Sequence, residues 1–191
     1  MTGKRFVTIA EYPGLRLVEA SKCAGAEQGA LDVWTMLREI GPGENGFGNE
    51  GYDVPFSRFG DYLCGRVAMK LGRNLRPGRV PMTTFWLYDG HTPVAVSKLR
   101  HRLNESLRRV GGHIGYCVRP SKRGKGYGTG LLALTLVAAQ ELGLALVLIT
   151  CNADNTASRR IVEHNGGRLW RTSEGVCYYW VSTEIRRTRA S

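Results

Sequence analysis

The fold is decided by the segment HIGYCVRPSKRGKGYGTGLLALTLVAAQELGLALVLIT, which runs from His113 to Thr150. It begins with a short, largely apolar stretch (113–118), continues into a basic, glycine-rich turn and becomes almost wholly apolar at 131–142. Gly143 follows directly, as expected just past the end of a helix, and the aliphatic residues 144–150 are typical of a buried strand. The order strand, turn, helix, strand predicts one βαβ-like unit.

The turn alternates glycine with larger residues at Gly124, Gly126, Gly128 and Gly130. Because glycine has no Cβ atom, the backbone N–H groups of such a turn can approach a ligand closely. The helix that follows adds the positive end of its dipole, so the turn is predicted to bind an anion such as a pyrophosphate. The P-loop and G-x-G-x-x-G patterns do not fit. What remains is Arg-x-x-Gly-x-Gly, starting at Arg123.

Composition indicates a single ordinary globular domain, with 191 residues of which 42% are hydrophobic and 23% charged. No apolar run approaches the ~20 residues that cross a bilayer, and the N-terminus lacks the apolar core of a signal peptide. The five cysteines are scattered without a CxxC pair. We therefore expect reduced thiols, a cytoplasmic location, no membrane association and no metal site.

The net charge of +11 raises the question of a nucleic-acid partner. The lysines and arginines are dispersed, apart from a cluster at 119–125 and a basic tail at 186–189. No helix-turn-helix, zinc-finger or RNA-binding aromatic motif appears, so nucleic-acid binding is not expected as the main function.

Periodicity and turn signals predict the elements outside the central unit. In chain order they are a first strand at 15–18, a helix at 27–40, a long loop at 41–55, a second helix capped by Ser57 with Phe59, Tyr62, Leu63, Val67 and Leu71 on one face, hairpin strands at 83–88 and 93–99 around Asp89-Gly90, and closing strands at 168–171 and 176–181.

The glycine turn and its surroundings resemble the GNAT superfamily of N-acetyltransferases, whose acetyl-CoA pyrophosphate loop has the same Arg-x-x-Gly-x-Gly pattern. The resemblance covers roughly residues 83–181 and extends to Asn155-Thr-Ala-Ser158-Arg, which is similar to the family's next helix. More narrowly, RHRLNESL (Arg100 to Leu107) followed by GGHIGY is similar to a bacterial group of predicted acetyltransferases.

The fold that this resemblance implies is α/β of the α+β type, a single-domain GNAT fold with a mixed central sheet of about six to seven strands flanked by helices. Within it, residues 15–75 would supply a strand, two helices and the acceptor-side loop. Residues 83–181 would form the acetyl-CoA-binding core, and 182–191 a basic tail.

The resemblance also implies a position for acetyl-CoA as co-substrate, without a metal. Backbone groups near Tyr116 to Val118 would bind the pantetheine arm, and one N–H there would stabilise the oxyanion. Arg119 and Arg123 would hold the pyrophosphate, and Asn155 would cap its helix and contact the pantetheine. The full predicted cofactor set is Tyr116, Cys117, Val118, Arg119, Arg123, Gly124, Lys125, Gly126, Tyr127, Gly128, Thr129, Asn155 and Ser158.

The sequence departs from the family pattern at the proton donor for the departing thiolate. Many members place a tyrosine seven residues after the helix asparagine, where this chain has Val162. Ser158, Tyr178, Tyr179 and solvent stay open as substitutes.

Three residues are candidates for the general base, namely His113, His101 and Glu105. An imidazole with an ordinary pKa near ~6.5 suits proton removal near neutrality. A packed or hydrogen-bonded core histidine is the competing interpretation of His113.

Three functions are compatible with these observations. The first is acetyl transfer to a primary amine by direct attack in a ternary complex, with a small-molecule amine favoured over a protein amine and Glu44, Phe47, Asn49 and Tyr52 as candidates for acceptor recognition. The second is a catalytically weak CoA or acyl-CoA sensor, and the third a basic nucleic-acid binder. The positive charge disfavours polyamine acceptors. Formation of a homodimer, common among similar proteins, is left open.

Overall fold

The computed structural model describes residues 12–20 and 27–184. The described elements are β1 (Leu15–Glu19), α1 (Glu27–Ile40), β2 (Gly43–Glu44), β3 (Phe47–Gly48), α2 (Phe59–Lys70), β4 (Met82–Asp89), β5 (Thr92–Arg100), α3 (Glu105–Arg109), β6 (Ile114–Val118), α4 (Tyr127–Glu141), β7 (Leu146–Asn152), α5 (Thr156–His164), β8 (Arg168–Ser173) and β9 (Val176–Ser182). Most of the predicted basic tail, from 185 onward, lies outside the described residues.

Seven of the described strands form two antiparallel sheets, in the orders β1-β4-β5-β6 and β7-β9-β8. The hairpin predicted around Asp89-Gly90 is present, with Asp89 opposite Thr92. The closing hairpin of β8 and β9 is also present. The loop predicted at 41–55 contains a small hairpin of its own, β2 with β3, because left-handed residues at Asn45 and Gly46 make the tight turn that joins the two strands.

The two sheets meet just before β6, where the chain passes β7. The His113 N–H donates to Leu148 O (2.7 Å), and the Leu148 N–H donates to His113 Nδ1 (2.9 Å). Gly112 allows this approach, because a Cβ atom there would lie 2.3 Å from Leu148 O. Among the described residues no strand pairing joins β6 to β7 beyond this junction. The expected central sheet is thus present, divided at this point.

Helices cover both faces of the first sheet. On one face lies α4, whose Leu131 packs against the first sheet. Other buried residues of α4, such as Leu132 and Leu136, pack against Ile149 and Tyr179 of the second sheet. On the other face, α1 and α2 pack around the fully buried Trp86. This is the layered arrangement that lets helices and sheets bury their apolar sides together.

Two details of the second helix differ from the prediction. Ser57 does not cap it, because Pro55 (φ −63°) starts a 3-10 turn at Phe56–Arg58 that places Ser57 within a helical segment. The helix begins at Phe59 without a side-chain cap. Leu71 lies past its last residue and is exposed, whereas Phe59 and Leu63 are buried as expected.

Candidate active site

A cavity of about 740 Å³ lies beside the edge of β6, where the two sheets separate. This volume is within the ordinary range for small-molecule and cofactor sites. One end is lined by the glycine turn and the first residues of α4 and α5. We call the other end, lined by Phe47, Glu50, Arg79, Lys98 and Arg100, the acceptor end.

The glycines of the turn divide into two pairs with different roles. Gly124 (φ +76°) and Gly126 (φ +80°) adopt left-handed backbone conformations, and a Cβ atom at either would meet nothing within 4 Å. Gly126 is the N-cap of α4, so the first N–H groups of that helix are available to a ligand at the cavity. Gly128 and Gly130 also allow close packing, because Cβ atoms there would lie 2.7 Å from Ile161 and 2.8 Å from Leu15, and Gly128 in addition lines the cavity.

Only one of the two arginines predicted to hold a pyrophosphate faces the cavity. Arg123 lines it, donates through Nε to Val118 O (3.2 Å) and pairs with Glu44 of β2. Lys125 is exposed and does not line the cavity.

Arg119 does not line the cavity and pairs with Glu39 of α1. The Glu39 carboxylate also accepts from the Ser121 N–H (2.8 Å). Desolvation opposes ionisation of Glu39, but the Ser121 hydrogen bonds and the charge of Arg119 prevail and lower its pKa to about 2. This ion pair attaches the start of the turn to α1.

The backbone of β6 presents polar groups along the cavity. The Arg119 N–H donates to Val94 O (2.9 Å). The odd-numbered residues of this segment are therefore the ones whose backbone groups hydrogen-bond to β5. Hydrogen-bonded and non-bonded residues alternate along an antiparallel ladder. The N–H and C=O groups of Tyr116 and Val118 therefore point to the opposite edge, and both residues line the cavity.

Two hydroxyl groups meet in the cavity wall between β6 and α5. Tyr116 OH lies 2.8 Å from Ser158 Oγ, and Asn155 caps α5 by accepting from the Ser158 N–H (3.0 Å). Burial raises the pKa of Tyr116, so its phenol stays protonated. All three residues line the cavity.

The other proposed proton donors are elsewhere. Val162, at the position of the family tyrosine, is fully buried in the core. Tyr179 is also in the core and donates to Glu163 (2.8 Å), and Tyr178 is buried. Neither tyrosine lines the cavity.

None of the three predicted bases lines the cavity. His113 is buried at the junction of the sheets and accepts a backbone hydrogen bond at Nδ1, which leaves the proton of the neutral ring on Nε2. Burial, with the charges of Arg108 and Arg100, lowers its pKa to about 4. His101 contacts Thr83 Oγ1 (2.8 Å), and Glu105 lies in the first turn of α3.

We expect His113 to make stability depend on pH. The folded pKa of about 4 lies below the ordinary 6.5, so the unfolded chain takes up a proton first as the pH falls. The contribution of His113 to the free energy of unfolding is therefore fully present above pH 6.5. It is lost as the pH falls toward 4, and it amounts to a value on the order of 3 kcal/mol. His113→Gln should weaken the pH dependence of the urea unfolding midpoint between pH 7.5 and 4.5. The control His91→Gln, at an exposed turn residue, should keep the wild-type pH dependence. A wild-type slope in His113→Gln would contradict this role.

The acceptor end contains an ion pair that the sequence analysis missed. Lys98 Nζ, almost fully buried, contacts the Glu50 carboxylate and donates to Gly48 O (2.7 Å). Arg66 lies 3.4 Å from the same carboxylate. Burial would raise the pKa of Glu50, but the charges of Lys98 and Arg66 outweigh it and lower the pKa. The sequence signal for this pair was limited to a lysine within a strand whose residues are mostly buried.

The residues predicted for acceptor recognition separate into two groups. Glu44 and Phe47 line the cavity, and the Phe47 ring lies 5.0 Å from Lys98 Nζ. Asn49 is buried and donates to Leu37 O (2.8 Å), so it holds the loop against α1. Tyr52 does not line the cavity.

Metal and membrane features are absent from the part of the chain that the structure describes. Those residues contain no group of three or more His, Cys, Asp or Glu side chains that could hold a metal ion. Within the same residues no helix has the length and apolar character needed to cross a membrane.

The divided sheet, the glycine turn before a helix and the cavity at the edge of β6 define an α/β domain with a ligand-sized cavity where its two sheets separate. Residues 75–168 match the family model described as Acetyltransferase (GNAT) domain. This match confirms the GNAT resemblance drawn from the sequence for that part of the chain. No protein of curated function matches the sequence significantly.

Several solved structures share the fold. RimL, a ribosomal L7/L12 alpha-N-protein acetyltransferase solved with coenzyme A, is 15% identical with a TM-score of 0.61, and the match covers 93% of this chain and 98% of RimL. The microcin C7 self-immunity acetyltransferase MccE, solved with acetyl-CoA and AMP, is 13% identical (TM-score 0.59, 90% and 93% covered). Spermidine N-acetyltransferase from Vibrio cholerae is 11% identical (TM-score 0.57, 90% and 95% covered).

Proposed function

We propose that this protein is an acetyl-CoA-dependent N-acetyltransferase that acetylates a primary amine, preferably of a small molecule, by direct attack in a ternary complex. One observation carries the proposal. A single cavity connects the glycine turn, the exposed edge of β6 and a carboxylate at the acceptor end. The neighbours RimL and MccE, solved with CoA and acetyl-CoA respectively, have the same fold.

In this proposal the coenzyme lies along the cavity with its pyrophosphate at the glycine turn. The N–H groups at the start of α4 and the guanidinium of Arg123 would bind the phosphates. The pantetheine would follow the edge of β6, where the backbone groups of Tyr116 and Val118 can hydrogen-bond to its amides. Asn155 and Ser158 would contact it from the other side.

The chemistry that these groups support is addition of the amine followed by loss of the thiolate. Glu50 would hold the acceptor amine and take its proton on the way to solvent. The nitrogen forms the new C–N bond, a β6 backbone N–H stabilises the oxyanion, and the C–S bond then breaks. The Ser158–Tyr116 pair would donate the proton that converts the departing thiolate to the CoA thiol. The pair would regain a proton through solvent as the new amide nitrogen loses its second one.

Glu50→Gln is expected to lower kcat/KM for the amine by about 100-fold, because loss of a positioned base typically costs 10²–10⁴. Calorimetry should find the acetyl-CoA affinity of this variant unchanged, since Glu50 lies at the opposite end of the cavity from the glycine turn. Asp53→Asn, the same change at an exposed residue outside the cavity, is the control. Wild-type kcat/KM in a folded Glu50→Gln protein would remove Glu50 from the mechanism.

The proposed function is tested by following free-thiol release from acetyl-CoA across a panel of primary amines. Thiol release that saturates with one amine class, with the acetylated product identified by mass spectrometry, is the expected result. Acetyl-CoA binding without release on any amine would contradict the enzyme proposal and favour a ligand sensor.

A further inference from the structure

The acceptor end carries more positive than negative charge. Three basic residues line it, Arg79, Lys98 and Arg100, and Glu50 is its only carboxylate among the described residues. Lys98 and Arg66 both contact the Glu50 carboxylate through its Oε2 atom. Within the described part of the chain, neither Arg79 nor Arg100 forms an ion pair with a carboxylate.

Arg100 is held in place by the backbone. Its Nη1 donates to Gly111 O (2.9 Å) and Gly112 O (3.0 Å), the two residues that lead into the sheet junction. A guanidinium has five N–H donors, so these bonds leave others for a ligand. The side chain is half-buried at the cavity wall, where a charge is costly unless an anion accompanies it.

Arg79 brings a second positive charge to the same place. It precedes β4, is exposed and lines the cavity. Burial lowers the pKa of Arg100, the charge of Glu50 raises it, and the charge of Arg79 lowers it further, as expected for two guanidinium groups near the same cavity. Such a pair is most favourable when a ligand anion lies between its members, since arginine binds carboxylate and phosphate groups bidentately.

We propose that the acceptor is an amine that also carries a carboxylate or phosphate group, bound by Arg79 and Arg100 while Glu50 holds the amine. This inference rests on the proposed acetyltransferase function and specifies its substrate class. The opposite charges at this end fix the orientation, because the ammonium is attracted to Glu50 and the anion to the arginines.

The test compares acceptors that share an amine and differ in the anion. β-Alanine is paired with β-alaninamide, and phosphoethanolamine with ethanolamine, so that the two pairs distinguish carboxylate from phosphate. In the free-thiol assay, the anionic member of at least one pair should have a kcat/KM at least about tenfold higher. Arg79→Gln should reduce this ratio toward one, as should Arg100→Gln.

Arg76→Gln provides the matched control, because Arg76 is an exposed arginine of the same loop that does not line the cavity. It should keep the wild-type ratio. Since Arg100 also binds two backbone carbonyls, its variant is first checked by thermal unfolding. The Arg79 variant tests the proposal independently of that outcome.

Two kinds of failure are distinguishable. Thiol release that favours neutral or cationic amines, or an anion preference that Arg79→Gln leaves unchanged, overturns the anionic acceptor and leaves the acetyltransferase proposal intact. Bound acetyl-CoA with no thiol release on any amine overturns both.

Discussion

An Arg123→Glu variant is expected to bind acetyl-CoA at least about 100-fold more weakly than the wild-type protein. The wild-type guanidinium at the glycine turn offers charge-assisted hydrogen bonds to the pyrophosphate, which are the stronger kind. The variant replaces them with a carboxylate beside Glu44, so that two negative charges would face the phosphates. Calorimetric titration at fixed ionic strength measures the change.

Lys125→Glu is the matched control for this prediction. It makes the same change in net charge two residues further along, at an exposed side chain that does not line the cavity. Its affinity should fall by only about threefold, because screening weakens charges that lie outside contact distance. Equal losses in both variants would indicate a general charge effect, and wild-type affinity in a folded Arg123→Glu protein would contradict phosphate binding at this turn.

Gly112→Ala is expected to lower the free energy of unfolding by about 3 kcal/mol or more. The added Cβ atom would lie 2.3 Å from Leu148 O and 3.0 Å from Leu148 C, which are backbone atoms and cannot move without separating the two sheets. The residue also has a φ of +57°, which L-amino acids adopt at a cost. Urea denaturation monitored by tryptophan fluorescence gives the difference.

Gly90→Ala separates these two contributions. Gly90 has the same φ of +57°, but a Cβ atom there would meet nothing within 4 Å. Its loss of stability should be about 1 kcal/mol, the backbone term alone. Equal losses of stability in the two variants would contradict the claim that the junction of the sheets requires the close approach of Gly112 to β7.

Local sequence predicted the elements of the fold well where local chemistry determines them. Helix α1 has the predicted bounds, Glu27–Ile40, because its apolar residues recur at helical spacing. The β4–β5 hairpin follows from Asp89-Gly90. Ser57 was misassigned because Pro55 had already started a 3-10 turn, a local effect that outweighed the general preference for serine at an N-cap.

The candidate site was harder to predict, because its side chains depend on contacts between distant segments. Arg119 was assigned to the pyrophosphate from the turn pattern, but its partner Glu39 lies 80 residues earlier in the chain. Glu50 and Lys98 are likewise 48 residues apart, and neither has a local motif. Nothing in the sequence around His113 indicates that its ring accepts a backbone hydrogen bond from β7.

A crystal structure of the protein with acetyl-CoA tests the central claim most directly. The proposal predicts the pyrophosphate within hydrogen-bonding distance of Arg123 and of the first N–H groups of α4, with the pantetheine along β6 and the acetyl group toward Glu50. Acetyl-CoA bound elsewhere, or an empty cavity at saturating acetyl-CoA, would contradict it.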